Sequence, residues 1–209
     1  MFRLALLAGL LFTAVVCGAE LEAGKFLVAS RNLGDPNFAG TVVLLLKFDD
    51  EEGALGIIVN RRTDVPLSRV FENIKTAKDR TDAVYIGGPV EPGSVLALLK
   101  SATKVEDASR VLTGIYLISG KALLEKAAAE APSDSFHAYL GYAGWGPGQL
   151  EHEVELRGWH VLRADAATVF DQEPDGVWEK LIRRTELRIA HSVRSVAIGS
   201  TLVARRAGK

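Results

Sequence analysis

The residues with the clearest chemical potential lie in one Gly-rich stretch, Tyr139–Trp159. Inside this stretch, Glu151-His152-Glu153 could supply metal ligands or a general acid and base. On a helix, however, consecutive side chains point about 100° apart, so these three cannot share one face. A two-histidine zinc motif needs its histidines at i and i+4, and the next histidine, His160, lies beyond Gly158. The pattern therefore favours a solvated helix face on which Glu153 makes a structural hydrogen bond, and it predicts no metal site.

Nucleophilic catalysis has little support in the sequence. Neither Ser30 nor Ser119 lies in a Gly-x-Ser-x-Gly elbow. His137 falls in a predicted strand, where a histidine is more often a core residue with its hydrogen bonds satisfied than a base. Cys17 is the sole cysteine, which excludes an intrachain disulfide and a cysteine-based zinc cage. We therefore predict no catalytic residue and no cofactor.

The turn Gly144-Trp145-Gly146-Pro147-Gly148 precedes a predicted helix. Backbone N–H groups at a helix N-terminus favour an anion. The turn lacks the Lys-Ser/Thr pair of a P-loop and the spacing of a dinucleotide fingerprint. Glycine also allows one backbone to approach another closely, so an architectural role is our main interpretation. A bound ligand, or a carboxylate of the chain such as Asp35, is the alternative for this position.

We predict that the chain forms one domain over residues 20–190. The predicted strands are Lys25–Ser30, Thr41–Phe48, Ala54–Asn60, Ala83–Ile86, Gly93–Leu99, Val111–Ser119, Ser135–Ala143 and Trp159–Arg163. Helices are predicted after Pro66, over Gly120–Ala131 with Ser119 as the cap, over Gln149–Leu156, and from Asp175 to about Ala190. Thr41–Phe48 is nearly all apolar, which is typical of a strand buried on both faces. Early hairpin-like pairs, without regular βαβ alternation, favour an α+β fold with a mixed, partly antiparallel sheet.

The N-terminal segment, residues 1–19, has the pattern of an export signal. Leu4–Val16 is an apolar run of the right length for a signal sequence and too short to span a bilayer as a helix. Small residues follow it, so cleavage is expected after Gly18 or Ala19. We predict a periplasmic or secreted protein. The alternatives are a lipoprotein anchored to a membrane through Cys17, and a cytoplasmic protein with an N-terminal extension.

Charge argues against a nucleic-acid partner. The net charge is -1 and the isoelectric point is about 6.4, whereas a nucleic-acid-binding domain usually shows a basic face. The tail over residues 191–209 is basic, and we predict that it is a solvated terminus. The expected partner is a protein or a small molecule of unknown identity.

Four motifs together resemble the YqgE/AlgH family (DUF179, UPF0301). They are Asp35-Pro36-Asn37-Phe38, Gly56-Ile57-Ile58-Val59-Asn60, Gly87-Gly88-Pro89-Val90 and the block Gly144–Glu153. The resemblance implies a largely antiparallel, branched sheet that partly closes into a small barrel, surrounded by helices. It implies no established activity, although the family has been called a transcriptional regulator. Two positions depart from the family pattern: Arg31, in a loop that usually differs there, and Arg62, where the family more often has proline.

The predicted site lies where the loops of these motifs converge. Its candidate ligand-binding residues are Asp35, Phe38, Asn60, Gly87, Gly88, Pro89, Gly144, Trp145, Gln149 and Glu153. We expect a noncatalytic binding or regulatory module. An enzyme of unknown reaction, with a pocket near Glu153 and Asn60, and a transcriptional regulator are the two alternatives.

Overall fold

The computed structural model describes residues 20–74 and 77–189. The export-signal-like segment with Cys17 and the basic tail over residues 191–209 lie outside the described residues. None of the helices in the described ranges has the length and apolar character needed to cross a membrane.

The fold is α+β, with a sheet of ten strands curled into a half-barrel. The strands are β1 Lys25–Ala29, β2 Val42–Asp49, β3 Gly53–Ile58, β4 Arg62–Pro66, β5 Ala83–Ile86, β6 Val90–Lys100, β7 Ser109–Leu112, β8 Ile115–Ile118, β9 Phe136–Trp145 and β10 Trp159–Arg163. Their order is β10-β1-β2-β3-β9-β6-β8-β7, with β4 and β5 on a branch. Every pairing is antiparallel except that of β5 with β9. The predicted fold class is therefore confirmed.

Helices cover both faces of the sheet. They are α1 Leu67–Val70, α2 Lys121–Glu130, α3 Gln149–Glu155, α4 Ala166–Val169 and α5 over residues 177–189. Strand β2 shows why two layers are needed: Val42 and Leu44 belong to one apolar core, and Val43 and Leu45 belong to another. Helix α5 packs on the first core and α3 on the second. The prediction that this strand is buried on both faces is confirmed.

The sheet branches at β9. Its first part pairs with β6 and β5, and its end pairs with β3. Gly141 lies in the middle with φ +68, a backbone conformation that favours glycine. Gly87 and Gly88 follow β5 and cross β9 closely, because a Cβ on either would overlap the β9 backbone at Gly141 or Tyr142. These glycines allow two strands to meet at one crossing.

Several predicted elements are corrected by the structure. The single strand over Val111–Ser119 is a hairpin of β7 and β8 that turns at Gly114, where φ is +78. Helix α2 begins after Gly120 with no side-chain cap, so Ser119 does not cap it. Strand β9 continues to Trp145, two residues beyond the predicted end of that strand. The helix after Pro66 is a single turn, and the sequence did not predict β4 before it.

Candidate functional site

The two tryptophans of the Gly-rich stretch share one acceptor. Trp145 at the end of β9 and Trp159 at the start of β10 are 5% and 3% exposed. Their indole Nε1 atoms donate to the same oxygen, Oε2 of Glu153, at 3.0 and 2.7 Å. The rings lie edge to face with centroids 6.0 Å apart, a favoured aromatic geometry. We call these three residues the tryptophan–glutamate cluster.

Helix α3 places the carboxylate of Glu153 under the turn. Gly148 adopts a left-handed conformation with φ +72 and starts the helix. Gln149 then bridges the turn and the carboxylate: its Oε1 accepts from the N–H of Gly146 at 3.1 Å, and its Nε2 donates to Glu153 Oε1 at 2.9 Å. Both oxygens of Glu153 thus accept hydrogen bonds from neighbouring side chains. The predicted structural hydrogen bond of Glu153 is confirmed, and its carboxylate has three donors: Trp145, Gln149 and Trp159.

The loop between β1 and β2 covers the tryptophan–glutamate cluster. Phe38 stacks on Trp145 with centroids 5.8 Å apart and meets Trp159 edge-on at 5.6 Å. Asp35 is exposed and stabilises its own loop, because its Oδ1 accepts from the N–H of Asn37 at 2.8 Å. Phe38 therefore contacts the cluster directly, while the carboxylate of Asp35 is used in a local turn.

Asn60 and the Gly87–Pro89 segment contact backbone outside the tryptophan–glutamate cluster. Asn60 is 6% exposed. Its Oδ1 accepts from the N–H of Val42 at 2.7 Å and its Nδ2 donates to the carbonyl of Gly40 at 3.0 Å. Gly87 and Gly88 are buried at the crossing over β9, and Pro89 is exposed beside them.

The structure therefore brings Phe38, Trp145, Gln149 and Glu153 into direct contact. Gly144 is exposed in β9 next to them. A group whose hydrogen-bonding capacity is already used by the protein has little left for a ligand. Ligand binding by these residues stays a prediction, and the contacts themselves describe a framework that fixes β9, α3 and β10.

A second site, which the sequence did not predict, surrounds His137. A cavity of about 260 Å³ is lined by Arg62, Thr81, Asp82, Ala83, Tyr85, Ser133, Asp134, His137, Asp171 and Gln172. Its aromatic members are buried. Of its four charged members, Arg62 and Asp134 are exposed, and Asp82 and Asp171 are half-buried. Tyr85 stacks on the imidazole of His137 with centroids 4.7 Å apart, and Phe170 packs at 4.6 Å.

His137 is a buried strand residue, as the sequence predicts, but its hydrogen bonds are not all satisfied. The side chain is 7% exposed, and among the described residues its Nδ1 has no hydrogen-bond partner. Burial lowers the pKa of His137 to about 4; Asp82 and the backbone carbonyl of Val169 oppose this effect, and Arg62 adds to it. Burial also raises the pKa of Tyr85. The imidazole is therefore neutral at physiological pH, and a buried polar atom without a partner is costly in a native protein.

Strand pairing explains why this site is hard to recognise in the sequence. β5 pairs in parallel with β9 and aligns Tyr85 with Tyr139, and β4 places Arg62 opposite Tyr85. Local periodicity does not report such pairings. The one available signal was Arg62, which departs from the pattern of the resembling family. Metal ligation has no support here, because residues 20–74 and 77–189 contain no group of three His, Cys, Asp or Glu side chains that could hold an ion.

The chain is similar to known proteins over most of its length. Residues 26–190 match the family model described as AlgH-like, DUF179. A UPF0301 protein from Paraburkholderia phytofirmans is 39% identical over 153 residues, which are 70% of this chain and 79% of that protein. A UPF0301 protein from Streptomyces avermitilis is 38% identical over 176 residues, covering 80% and 88% of the two chains.

Two solved structures are similar in fold. The solution structure of the AlgH protein from Pseudomonas aeruginosa has 30% identity and a TM-score of 0.65, covering 78% of this chain and 87% of that one. A crystal structure of a Corynebacterium diphtheriae protein has 26% identity and a TM-score of 0.67, covering 79% and 87%.

Proposed function

The chain belongs to the AlgH-like family (DUF179, UPF0301), and we propose that it is a noncatalytic module that binds a small polar molecule in the His137 cavity. One observation carries the proposal: Nδ1 of His137 is buried without a partner in a side chain that lines the cavity. A ligand hydrogen bond there would compensate the desolvation of that atom.

The cavity combines a buried aromatic floor with a charged rim. Tyr85 and His137 form the buried floor, and Arg62, Asp134 and Asp171 stand on the rim. Most of the lining surface is polar, in contrast to the largely apolar pockets that hold most small ligands, so hydrogen bonds and charges would dominate recognition here. The volume of about 260 Å³ suits a molecule smaller than a nucleotide.

The rim charges suggest a ligand that carries both signs. Among the described residues, Arg62 makes no ion pair. An arginine guanidinium matches a carboxylate through two parallel hydrogen bonds. Asp134 offers a carboxylate to an ammonium group. The carboxylate of Asp171 also lines the cavity, and its Oδ2 lies 3.7 Å from Nζ of Lys180. A free α-amino acid presents both groups, so we propose this ligand class.

Calorimetric titration with the standard amino acids tests the proposal. We expect at least one to bind, and Arg62→Gln to weaken that binding about tenfold or more, because the exposed guanidinium is lost without disturbing the core. Arg61→Gln is the matched control, since Arg61 is adjacent in sequence but does not line the cavity. The absence of binding by every amino acid, or equal losses in both variants, would overturn the proposal.

The two alternative functions make different demands. An enzyme using Glu153 and Asn60 would need these side chains free to exchange protons or bind substrate, yet Asn60 already makes two framework hydrogen bonds and Glu153 accepts three. A transcriptional regulator would need a basic face. Export remains our proposal for location, with a partner or ligand met outside the cytoplasm. Mass spectrometry of native material tests it: a mature chain that begins at Ala19 or Glu20 supports export, a lipidated Cys17 supports an anchor, and an intact Met1 contradicts both.

A further inference from the structure

We propose a further binding site, separate from the His137 cavity, in a cavity lined by Arg110, Arg163 and Arg184. This site would bind a compound that carries two or more phosphate groups. This arginine cavity has a volume of about 900 Å³. It does not share a lining residue with the His137 cavity, so it stands independently of the function proposed above.

The three arginines reach the cavity from distant parts of the chain. Arg163 ends β10 and is paired with Lys25 at the start of β1. Arg110 lies on β7, which approaches β1 closely: a Cβ on Gly24 would stand 2.9 Å from the carbonyl of Val111. Arg184 lies on α5. The fold therefore gathers three exposed guanidinium groups around one opening.

Positive charge in the arginine cavity exceeds negative charge. Its lining has four cations, the three arginines and Lys25, and two carboxylates, Glu22 and Asp165. Both carboxylates already have partners. Glu22 pairs with Lys25 at 2.9 Å, and Asp165 caps α4 by accepting from the N–H and the hydroxyl of Thr168 at 2.8 and 3.0 Å.

The charge of the three arginines has no ion-pair partner in the part of the chain that the structure describes. Among the described residues, none of the three forms an ion pair. Residues 1–19, 75–76 and 190–209 contain no Asp or Glu at all. The concentration of like charge also contrasts with the net charge of the whole chain, -1. An external anion would balance this charge.

Arginine chemistry and cavity size indicate the class of anion. A guanidinium binds phosphate oxygens through a planar, two-pronged set of donors. Three such groups around a space of about 900 Å³ exceed what one orthophosphate needs. A diphosphate, an inorganic polyphosphate or the phosphate chain of a nucleotide would engage several guanidinium groups together. Because the sequence has no P-loop, recognition would depend on these side chains.

Titration of the full-length chain with pyrophosphate tests the site. We expect binding in about 0.15 M KCl, and at least about a tenfold weakening by Arg163→Gln or Arg184→Gln, since each removes one phosphate contact. Arg188→Gln is the matched control, because Arg188 is exposed on the same helix and does not line the cavity. Orthophosphate should bind more weakly than pyrophosphate, and Arg62→Gln should leave pyrophosphate binding unchanged.

Four results would overturn the proposal. These are no binding of pyrophosphate by the wild-type chain, an equal loss of affinity in Arg188→Gln, orthophosphate binding as tightly as pyrophosphate, and full affinity in folded Arg163→Gln and Arg184→Gln. Circular dichroism of each variant separates lost affinity from lost folding. Replacing pyrophosphate by ATP then distinguishes a nucleotide from an inorganic polyphosphate, because only the nucleotide would gain affinity from its base and sugar.

Discussion

Trp145 and Trp159 donate their indole N–H groups to a single oxygen atom, Oε2 of Glu153, at 3.0 and 2.7 Å. One carboxylate thereby connects the end of β9, the helix α3 and the start of β10. The Gly-rich turn between them allows α3 to fold back under the strand. The most distinctive motif of the chain is thus explained by packing and hydrogen bonding before any ligand is considered.

Removal of that acceptor should destabilise the protein. In Glu153→Ala, two buried indole N–H groups lose their partner, and each such loss costs about 1–3 kcal/mol. Because Glu153 is only half-buried, water replaces part of the interaction, and we expect a total of about 2–3 kcal/mol. Urea unfolding measures the change. Glu155→Ala, on the exposed surface of the same helix, is the control and should change stability by less than about 0.5 kcal/mol.

The crossing of Gly88 over β9 gives a sharper steric prediction. A Cβ at this position would overlap the carbonyl group of Tyr142, and backbone cannot move aside as a side chain can. We expect Gly88→Ala to cost about 3 kcal/mol or more or to yield insoluble protein. Gly93→Ala provides the comparison, because a Cβ there meets nothing within 4 Å. Equal melting temperatures for the two variants would contradict the conclusion that the crossing over β9 requires glycine at position 88.

The stability of the protein should depend on pH through His137. Its pKa is lowered to about 4 in the folded protein, whereas a histidine in an unfolded chain has a pKa of about 6.5. As the pH falls, the unfolded state therefore binds the proton first. The contribution of neutral His137 to the free energy of unfolding is therefore complete above about pH 6.5, and it is lost as the pH falls from about 6.5 to about 4.

The lowered pKa of His137 corresponds to a change of at most about 3 kcal/mol in the free energy of unfolding. Urea unfolding at about pH 7 and pH 5 measures the loss. His137→Gln should reduce the dependence on pH over this range, while His152→Gln, on an exposed face of α3, should preserve it. A wild-type protein whose stability is constant over the range would show that His137 is accessible to protons in the fold.

The sequence contained enough information for the local features of the motif. Buried indole groups require hydrogen-bond partners, the spacing excluded Glu153 from a metal cluster, and the apolar run of β2 required two covered faces. It did not contain the pairing of β5 with β9, since a parallel contact between distant strands leaves no local periodicity. The His137 cavity depends on that pairing. The hairpin at Gly114 was missed for a related reason, because the residues on both sides of the turn favour strands.

We propose that the Gly144–Glu153 motif builds the framework and that ligands bind beside His137. The most direct test is an NMR titration of the full-length chain with the standard amino acids, in which the imidazole signals of His137 and the indole N–H signals of Trp145 and Trp159 are followed together. We predict that a binding amino acid shifts the His137 signals, that the two indole signals stay in place, and that Arg62→Gln removes the shift. If the two indole signals shift and the imidazole signals of His137 do not, the ligand binds at the Gly-rich turn, which would contradict the proposed site beside His137.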